Sequence, residues 1–597
     1  MFQKNVLRQT LFLLCISSSI VLSAQPDTIV IGFGGFESVS ISSSDPSSHP
    51  EATLDQSGYL PNENAASRFL SQAALGYNLN DIQDVANTGI EDWIDAQIAM
   101  PQPSNLTSIV QGYLDETFAA LGTYDGASRY LFWEYAWWQY HMTNNDLLRQ
   151  RVALALSEIL VISENSPFGG TSFALANYYD ILLSNAFGNY RDILQEVTYH
   201  PSMGVYLTYT GNPKTDVSQN RYPDENYARE VMQLFTIGLF ELNNDGSRKL
   251  DENNEPIPTY DNDDISEFSK VFTGLTWSDG MYFFGGAPSD QSYLSDLVMW
   301  EEYHEPGEKH LLNGYTVVDR DPVDGKADIN DALDNLFNHP NVGPFISKLL
   351  IQRLVTSNPS PAYIDRVASA FNDNGQGVRG DMAAVVKAIL LDPVAISCDS
   401  GEDDTFGMLR EPFIRYFHIN KAFNSSTISG QHKNVMYSIE ERFNQKPLSS
   451  PSVFNFFQSD YQPIGPVEEK GLVAPEFQIT DSQTLTGWIN GLYDWLINGY
   501  VVDIWDLYSN QPNTAYENDY PTLDFSPHAI YADDDELHVM LDKLNLILAQ
   551  GRISDPTLEI IKNALMQYDN EDQEDRDRRV KLAIYLMMSS PEYLINR

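Results

Sequence analysis

From Val152 to Ile162 the chain reads Val-Ala-Leu-Ala-Leu-Ser-Glu-Ile-Leu-Val-Ile, apolar on nearly every side of the helix predicted over 147–163. A helix without a polar face has to be surrounded by other elements, so this stretch requires a large body with the helix at its centre. Glu158 lies inside the run. A carboxylate in such a place must be paired or protonated. The sequence offers Arg149 and Arg151 on the same helix and Arg229 from a second one as partners.

The rest of the chain can supply that surrounding. It has 597 residues, 42% of them hydrophobic, enough to bury a sizeable core. Helical periodicity recurs at 65–76, 130–141, 264–272, 331–337, 342–356, 361–371 and 381–391, and again at 409–423, 481–495, 534–549, 556–568 and 575–589. The 130–141 stretch carries Tyr130, Phe132, Trp133, Tyr135, Trp137, Trp138 and Tyr140, the composition of a packed core or lobe interface. Residues 242–263 predict a polar loop with a small hairpin around Asp245-Gly246, and 280–300 short strands broken by a turn. The expected fold class is mainly α, a large multi-helix body with long loops and at most a minor β-hairpin element.

Domain organisation follows from the composition shifts. Lys4, Arg8, the apolar run 11–22 and small residues at Ser23-Ala24 predict a signal peptide over 1–24 and therefore export, to the periplasm, cell surface or exterior. Residues 25–60, rich in Ser, Gly, Pro and Asp, read as a flexible linker. A main helical domain is expected over 61–397, and a C-terminal helical section packed on it over 398–597, with an acidic surface insert at 509–535. Without the leader's two basic residues the chain has 34 Lys and Arg against 83 Asp and Glu, a formal charge of −49. Such a surface repels nucleic acid and anionic lipid. Cys398 is then the one cysteine, which excludes an intrachain disulfide. No later apolar run reaches the roughly 20 residues that span a bilayer.

Residues 223–238, Pro-Asp-Glu-Asn-Tyr-Ala-Arg-Glu-Val-Met-Gln-Leu-Phe-Thr-Ile-Gly, set the most ionic groups inside the most apolar frame. They predict one amphipathic helix that starts at Pro223-Asp224 and stops at Gly238. Tyr227, Val231, Leu234 and Phe235 share one side; Asn226, Glu230 and Gln233 share another, and Glu225 reaches Arg229 one turn on.

This stretch resembles the hallmark of the DUF-1800 family of exported bacterial proteins, with Asp224 in place of the family's first Asn. Further segments carry the resemblance in order: Arg151 to Glu158, His200-Pro-Ser-Met-Gly204 with Asn212-Pro-Lys214, Phe272-Thr-Gly274, His339 to Phe345, Arg353 to Pro361, Leu409-Arg-Glu-Pro412, Ser452-Val-Phe-Asn-Phe456 and Ser590-Pro-Glu592. The resemblance implies a predominantly helical fold and singles out His200, Asn212 and Lys214 beside the 223–238 helix. Family context also implies an exported partner of the DUF-1501 type.

Two functional classes remain open on these residues. One is a non-catalytic cell-envelope or secreted partner protein. The other is a hydrolase acting on an ester, sulfate or glycan. In it Glu225 or Glu230 is the general acid or base and His200 shares proton transfer, Arg229 and Lys214 hold a polar or anionic substrate, and Asn212, Asn226 and Gln233 line the site. No phosphate loop, nucleophile elbow or zinc-type cysteine cluster is present; Ser452 is read as a helix start. His304 and His310 stand six apart across Pro306-Gly307, so a zinc site there would be built from a loop. Asp319 to Asp328 has the acid density of a calcium loop with the wrong spacing, and calcium in it or in 242–263 is the first cofactor candidate, ahead of zinc.

Overall fold

The computed structural model describes residues 62–123, 128–166, 171–397, 405–498, 504 and 518–597, together with short strands at Ala24–Gln25, Thr28–Ile31 and Val39–Ile41. Almost all of the expected leader and linker, Cys398 and much of the 509–535 insert lie outside these residues.

The fold is mainly α. Most helices start on a side chain that satisfies their free N–H groups: Asn62 accepts from Ala65 N, Ser360 from Tyr363 N ahead of Pro361, and reciprocal capping boxes join Asn78 to Asp81 and Asp261 to Asp264. The β structure is small. Leu275–Thr276 pairs with Val298–Met299, Lys309–His310 with Thr316–Val317, and Met408–Leu409 with Ile595–Asn596, all antiparallel. The expected hairpin at Asp245-Gly246 is the first turn of a short meander: Lys249 N donates to Glu241 O at 2.8 Å and Ile257 N to Lys249 O at 3.1 Å.

The apolar helix sits where its composition requires. All eleven residues of Leu147–Ser157 are buried. The helices Glu63–Ala73, Ile90–Ala99, Ser172–Ser184 and Val342–Leu354 pack around it. It is shorter than predicted, because Glu158 closes it and the four residues Ile159 to Ile162 continue as buried turn and extended chain. Three of those four are β-branched and favour leaving a helix. The central helix also contracts, from 223–238 to Asn226–Gln233. Thr236 Oγ1 donates to Val231 O at 2.5 Å, and Gly238, at φ +69°, donates from its N–H to Met232 O at 3.0 Å, so the chain leaves the helix a turn early. Ser452 lies in a turn rather than at a helix start, its Oγ accepting from Phe454 N at 3.2 Å.

The aromatic helix Ser128–Thr143 joins the main body to the C-terminal section. Trp137 stacks on His141 at 3.7 Å and meets the edges of Phe413 and Phe417, from Pro412–Ala422, at 5.1 and 5.7 Å. At the opposite end Ser67 Oγ donates to Leu546 O of Leu537–Ala549 at 2.7 Å. One hydrophobic core therefore runs from Ala66 to Tyr593, across the expected boundary near 398.

Candidate functional site

The central helix is held at its start by side chains rather than by its own turns. Asn212 Oδ1 accepts from Asp224 N at 2.9 Å, and Asp224 Oδ1 accepts from Asn226 N at 2.8 Å. Its apolar side is anchored by Tyr227, whose hydroxyl meets Thr198 Oγ1 at 2.6 Å and whose ring lies 4.2 Å from that of Tyr209. Along the polar side Asn226 Nδ2 reaches Thr208 Oγ1 at 3.4 Å and Gln233 Oε1 accepts from Tyr260 Oη at 3.3 Å. Thr208 itself has φ +62°, a left-handed conformation costly for a β-branched residue.

Glu230 lies between these contacts and is buried. Burial raises its pKa, an effect that the Arg229 charge opposes, and its Oε2 has no hydrogen-bond partner among the described residues. Arg229 and Glu225 instead form an exposed ion pair at 3.5 Å, of the kind worth about 0.3–0.5 kcal/mol. Lys214 is half-buried, and its backbone N–H donates to Tyr303 O at 2.7 Å. Among the described residues His200 bonds none of these side chains. Its Nδ1 accepts from Ser202 N at 3.1 Å, capping the helix Pro201–Tyr206, and its Nε2 faces Asn177 Nδ2 at 3.0 Å. Burial pushes the imidazole down to about 3. The structure thus gathers Asn212, Glu225, Asn226, Arg229, Glu230 and Gln233 on or against one helix, and gives His200 a buried capping position.

A second concentration of charge lies deeper. Glu158 is not paired with Arg149, Arg151 or Arg229. Arg353, from the C-terminal turn of Val342–Leu354, places Nε 2.9 Å from Glu158 Oε2, an ion pair rather than an aligned hydrogen bond. Arg151 crosses to donate to the Arg353 carbonyl, and Arg149 donates to the carbonyls of Leu183 and Met100 at 2.9 and 2.8 Å. On its other side Glu158 shares the lining of a small cavity with Glu411, which accepts from Gln445 Nε2 at 2.5 Å. Beside them Lys446 meets Glu134, Glu164 and Glu440 at 2.7, 2.8 and 3.2 Å. Glu158, Glu411, Lys446, Ser450 and Asn455 line a cavity of about 10 Å³, room for about one water. Tyr206 hydrogen-bonds Ser450 and faces Glu230, which links the two concentrations.

Arg353, Glu411, Lys446 and Asn455 were not singled out as site residues in the sequence, although Arg353, Glu411 and Asn455 lie in the segments that carry the family resemblance. What these segments share is a meeting place. The family model described as "Protein of unknown function (DUF1800)" matches residues 68–595. The chain belongs to the DUF1800 family. No curated protein and no solved structure matches it.

In this DUF1800 chain the candidate metal loops have other occupations. His304 is buried, with Nε2 3.1 Å from Asp328 Oδ2 and 3.4 Å from the Lys309 ammonium, whereas His310 is exposed and contacts Thr316 Oγ1 at 3.2 Å. Asp328 also receives Lys309 and Arg320. Burial acts to raise its pKa, but these hydrogen bonds and charges hold it below the usual carboxylate value. Asp319 accepts from Gly307 N at 3.1 Å and Asp324 caps the Gly325–Phe337 helix. In 242–263, Asp245, Asp251 and Asp261 each accept backbone N–H groups of their own turns. Among the described residues no group of three or more His, Cys, Asp or Glu side chains is placed to hold a metal ion. No helix among them is long and apolar enough to cross a membrane.

Proposed function

We propose that the protein is a non-catalytic partner protein of the exported cell-envelope or secreted kind, which recognises another exported protein through the surface beside its central helix. The observation that carries this reading is an exposed aromatic loop. Met281, Tyr282 and Phe284 are 81%, 70% and 61% exposed. Beneath them Phe283 stacks on Tyr303 at 3.9 Å, nearly parallel, so the loop has a firm base. That base is tied to the Asn212 segment: Gly211 N donates to Leu275 O and Lys214 N to Tyr303 O, both at 2.7 Å. Large exposed apolar side chains on a braced loop are the anatomy of a docking surface. The strongly acidic composition favours a soluble partner over nucleic acid. A DUF-1501-type protein is the first one to try.

The test is capture from the organism's own secretome by the tagged protein, beside a Tyr282→Ser, Phe284→Ser double variant and an Arg229→Ala, Glu230→Ala double variant, each checked for folding. One stoichiometric partner captured by the wild type and lost with the aromatic variant supports the reading. Equal capture by all three, or none by the folded wild type, rejects it.

One observation favours the hydrolase reading, namely the buried Glu230 oxygen without a hydrogen-bond partner among the described residues, flanked by Tyr206 and Tyr260. A hydrolytic activity on esters, sulfates or glycans that Glu230→Gln abolishes would establish it.

A further inference from the structure

The aromatic loop does not stand alone. Thr215 N donates to Glu305 Oε2 at 2.6 Å, and just beyond it Asp216 and Arg221 exchange backbone hydrogen bonds at 2.9 and 3.0 Å. They close a turn that leaves Val217 and Tyr222 74% and 62% exposed. The same segment carries Lys214, whose N–H is bound by the Tyr303 carbonyl, and the Tyr303 ring is the base on which Phe283 stacks. Two apolar projections, Val217 with Tyr222 and Met281 with Tyr282 and Phe284, therefore rise from one framework. Burying such side chains against a partner is favourable.

The charge around them is almost wholly negative. Residues 211–225 and 279–308 hold ten Asp and Glu against two basic residues, Lys214 and Arg221, and no Lys or Arg occurs between Lys270 and Lys309. Arg221 already stands 3.9 Å from Asp216, and Asp290 is paired with Arg129. Some of the acids are committed to the framework: Glu305 accepts from Thr215 N, and Glu301 from Gly325 N at 2.8 Å. Others face solvent. Glu302, next to Tyr303, and Glu308 are exposed and form no ion pair among the described residues.

Resting on the reading of this surface as a docking site, we infer that its partner presents an apolar centre ringed by lysine or arginine side chains. The apolar residues supply the anchoring contact, and the acids select what can approach. At physiological ionic strength a charge is felt over about 8 Å. Glu302 thus acts at the rim of the contact, where charge governs the rate of association and the choice of partner more than the strength of binding. A second copy of this chain is a poor occupant, because in a two-fold contact each patch meets its own copy and acid would face acid. An anionic lipid surface is excluded by the same repulsion.

A pair of amphipathic peptides tests this on the whole protein. They share one face of Leu and Trp; one carries Lys on its polar face where the other carries Glu. Binding is followed by fluorescence anisotropy with the wild type, a Glu302→Lys, Glu308→Lys variant and the Tyr282→Ser, Phe284→Ser variant, each checked for folding. The Lys peptide is expected to bind the wild type at least about tenfold more tightly than the Glu peptide, to lose most of that affinity in both variants, and to associate more slowly as salt rises. The Glu peptide should gain affinity for the Glu302→Lys, Glu308→Lys variant. Equal binding of the two peptides, weakened only by loss of the aromatics, would overturn the charge assignment and leave the docking site standing. Binding of the Lys peptide equally to all three proteins would overturn both, and no binding of it to the wild type would overturn the charge assignment.

Discussion

Arg353 Nε and Glu158 Oε2 stand 2.9 Å apart in the interior, each side chain 4% exposed, and Glu158 lines the same small cavity as a second acid, Glu411. The two partners are therefore not equivalent. Arg353 is a buried cation among acids, whereas burial and the neighbouring Glu411 charge push the Glu158 carboxyl well above its ordinary pKa.

Removing the arginine should then be much worse than neutralising the glutamate. Arg353→Met is expected to cost about 3–5 kcal/mol by stranding the buried Glu158 without its ion-pair partner. Glu158→Gln, which keeps the size of the side chain and removes its acidity, should cost about 1 kcal/mol. Denaturant unfolding of both variants checks this; equal losses would mean that Glu158 is an ordinary carboxylate.

Lys446 gathers Glu134, Glu164 and Glu440, and burial pushes Glu134 up to about 8 even with the ammonium in place. Lys446→Met would raise Glu134 and Glu164 further, because the ammonium opposes the effect of burial on both. Stability held by a raised carboxyl disappears as pH climbs through its folded value. The melting temperature of the variant should accordingly fall further below the wild type between pH 7 and 9, where the wild-type Glu134 ionises and the variant's does not. A constant difference over that range would refute the account.

His200, pushed down to about 3 by burial, should remain neutral throughout ordinary conditions. Its imidazole resonances are expected not to titrate between pH 5 and 8, and His200→Asn, which retains a capping acceptor, should fold. A folded pKa below the unfolded one supports the native state above the unfolded value, near 6.5, and that support is lost as pH falls toward 3. The acid limb of the stability curve should be shallower in the variant. An imidazole that titrates near 6.5 in the folded protein would contradict the burial.

Gly238 has φ +69°, and a Cβ there would fall 2.8 Å from the Phe345 ring. Both the backbone and the ring oppose a side chain. Gly238→Ala should lose more than ~1 kcal/mol, the cost of the left-handed conformation alone, and Phe345→Leu should recover part of the excess. Unchanged thermal unfolding of Gly238→Ala would show that the turn can relax.

The fold was legible wherever a local pattern decided it. The helix caps, the Asp245-Gly246 turn, the aromatic core of 128–143 and the apolar centre at 147–157 all follow from residues within a few positions of one another. Helix ends were less legible: nothing in the periodicity of 223–238 records that Thr236 would bond back to Val231. The site was legible in part. Glu225 and Arg229 had to lie one turn apart once a helix formed there, with Glu230 beside Arg229, and their placement follows. The partner of Glu158 could not be derived this way, because Arg353 is as apolar in its surroundings as any arginine stem on a core helix, and only tertiary packing selects it over Arg149 or Arg151. His200 misled for a related reason, since a histidine before Pro201 can cap a helix or transfer protons, and burial decides which.

The meeting of Arg151, Glu158, Arg353 and Glu411 also bears on how such a chain can drift. Each of these side chains completes another's environment, so a change at one is tolerated only beside a compensating change at a second, on a different helix. A lineage could cross from this arrangement to an apolar one by paired steps through neutral residues, and the intermediate with one orphaned charge is the barrier between them. Motifs of this kind record mutual compatibility among distant helices, and so they can persist while the exposed surface, and whatever it recognises, diverges freely.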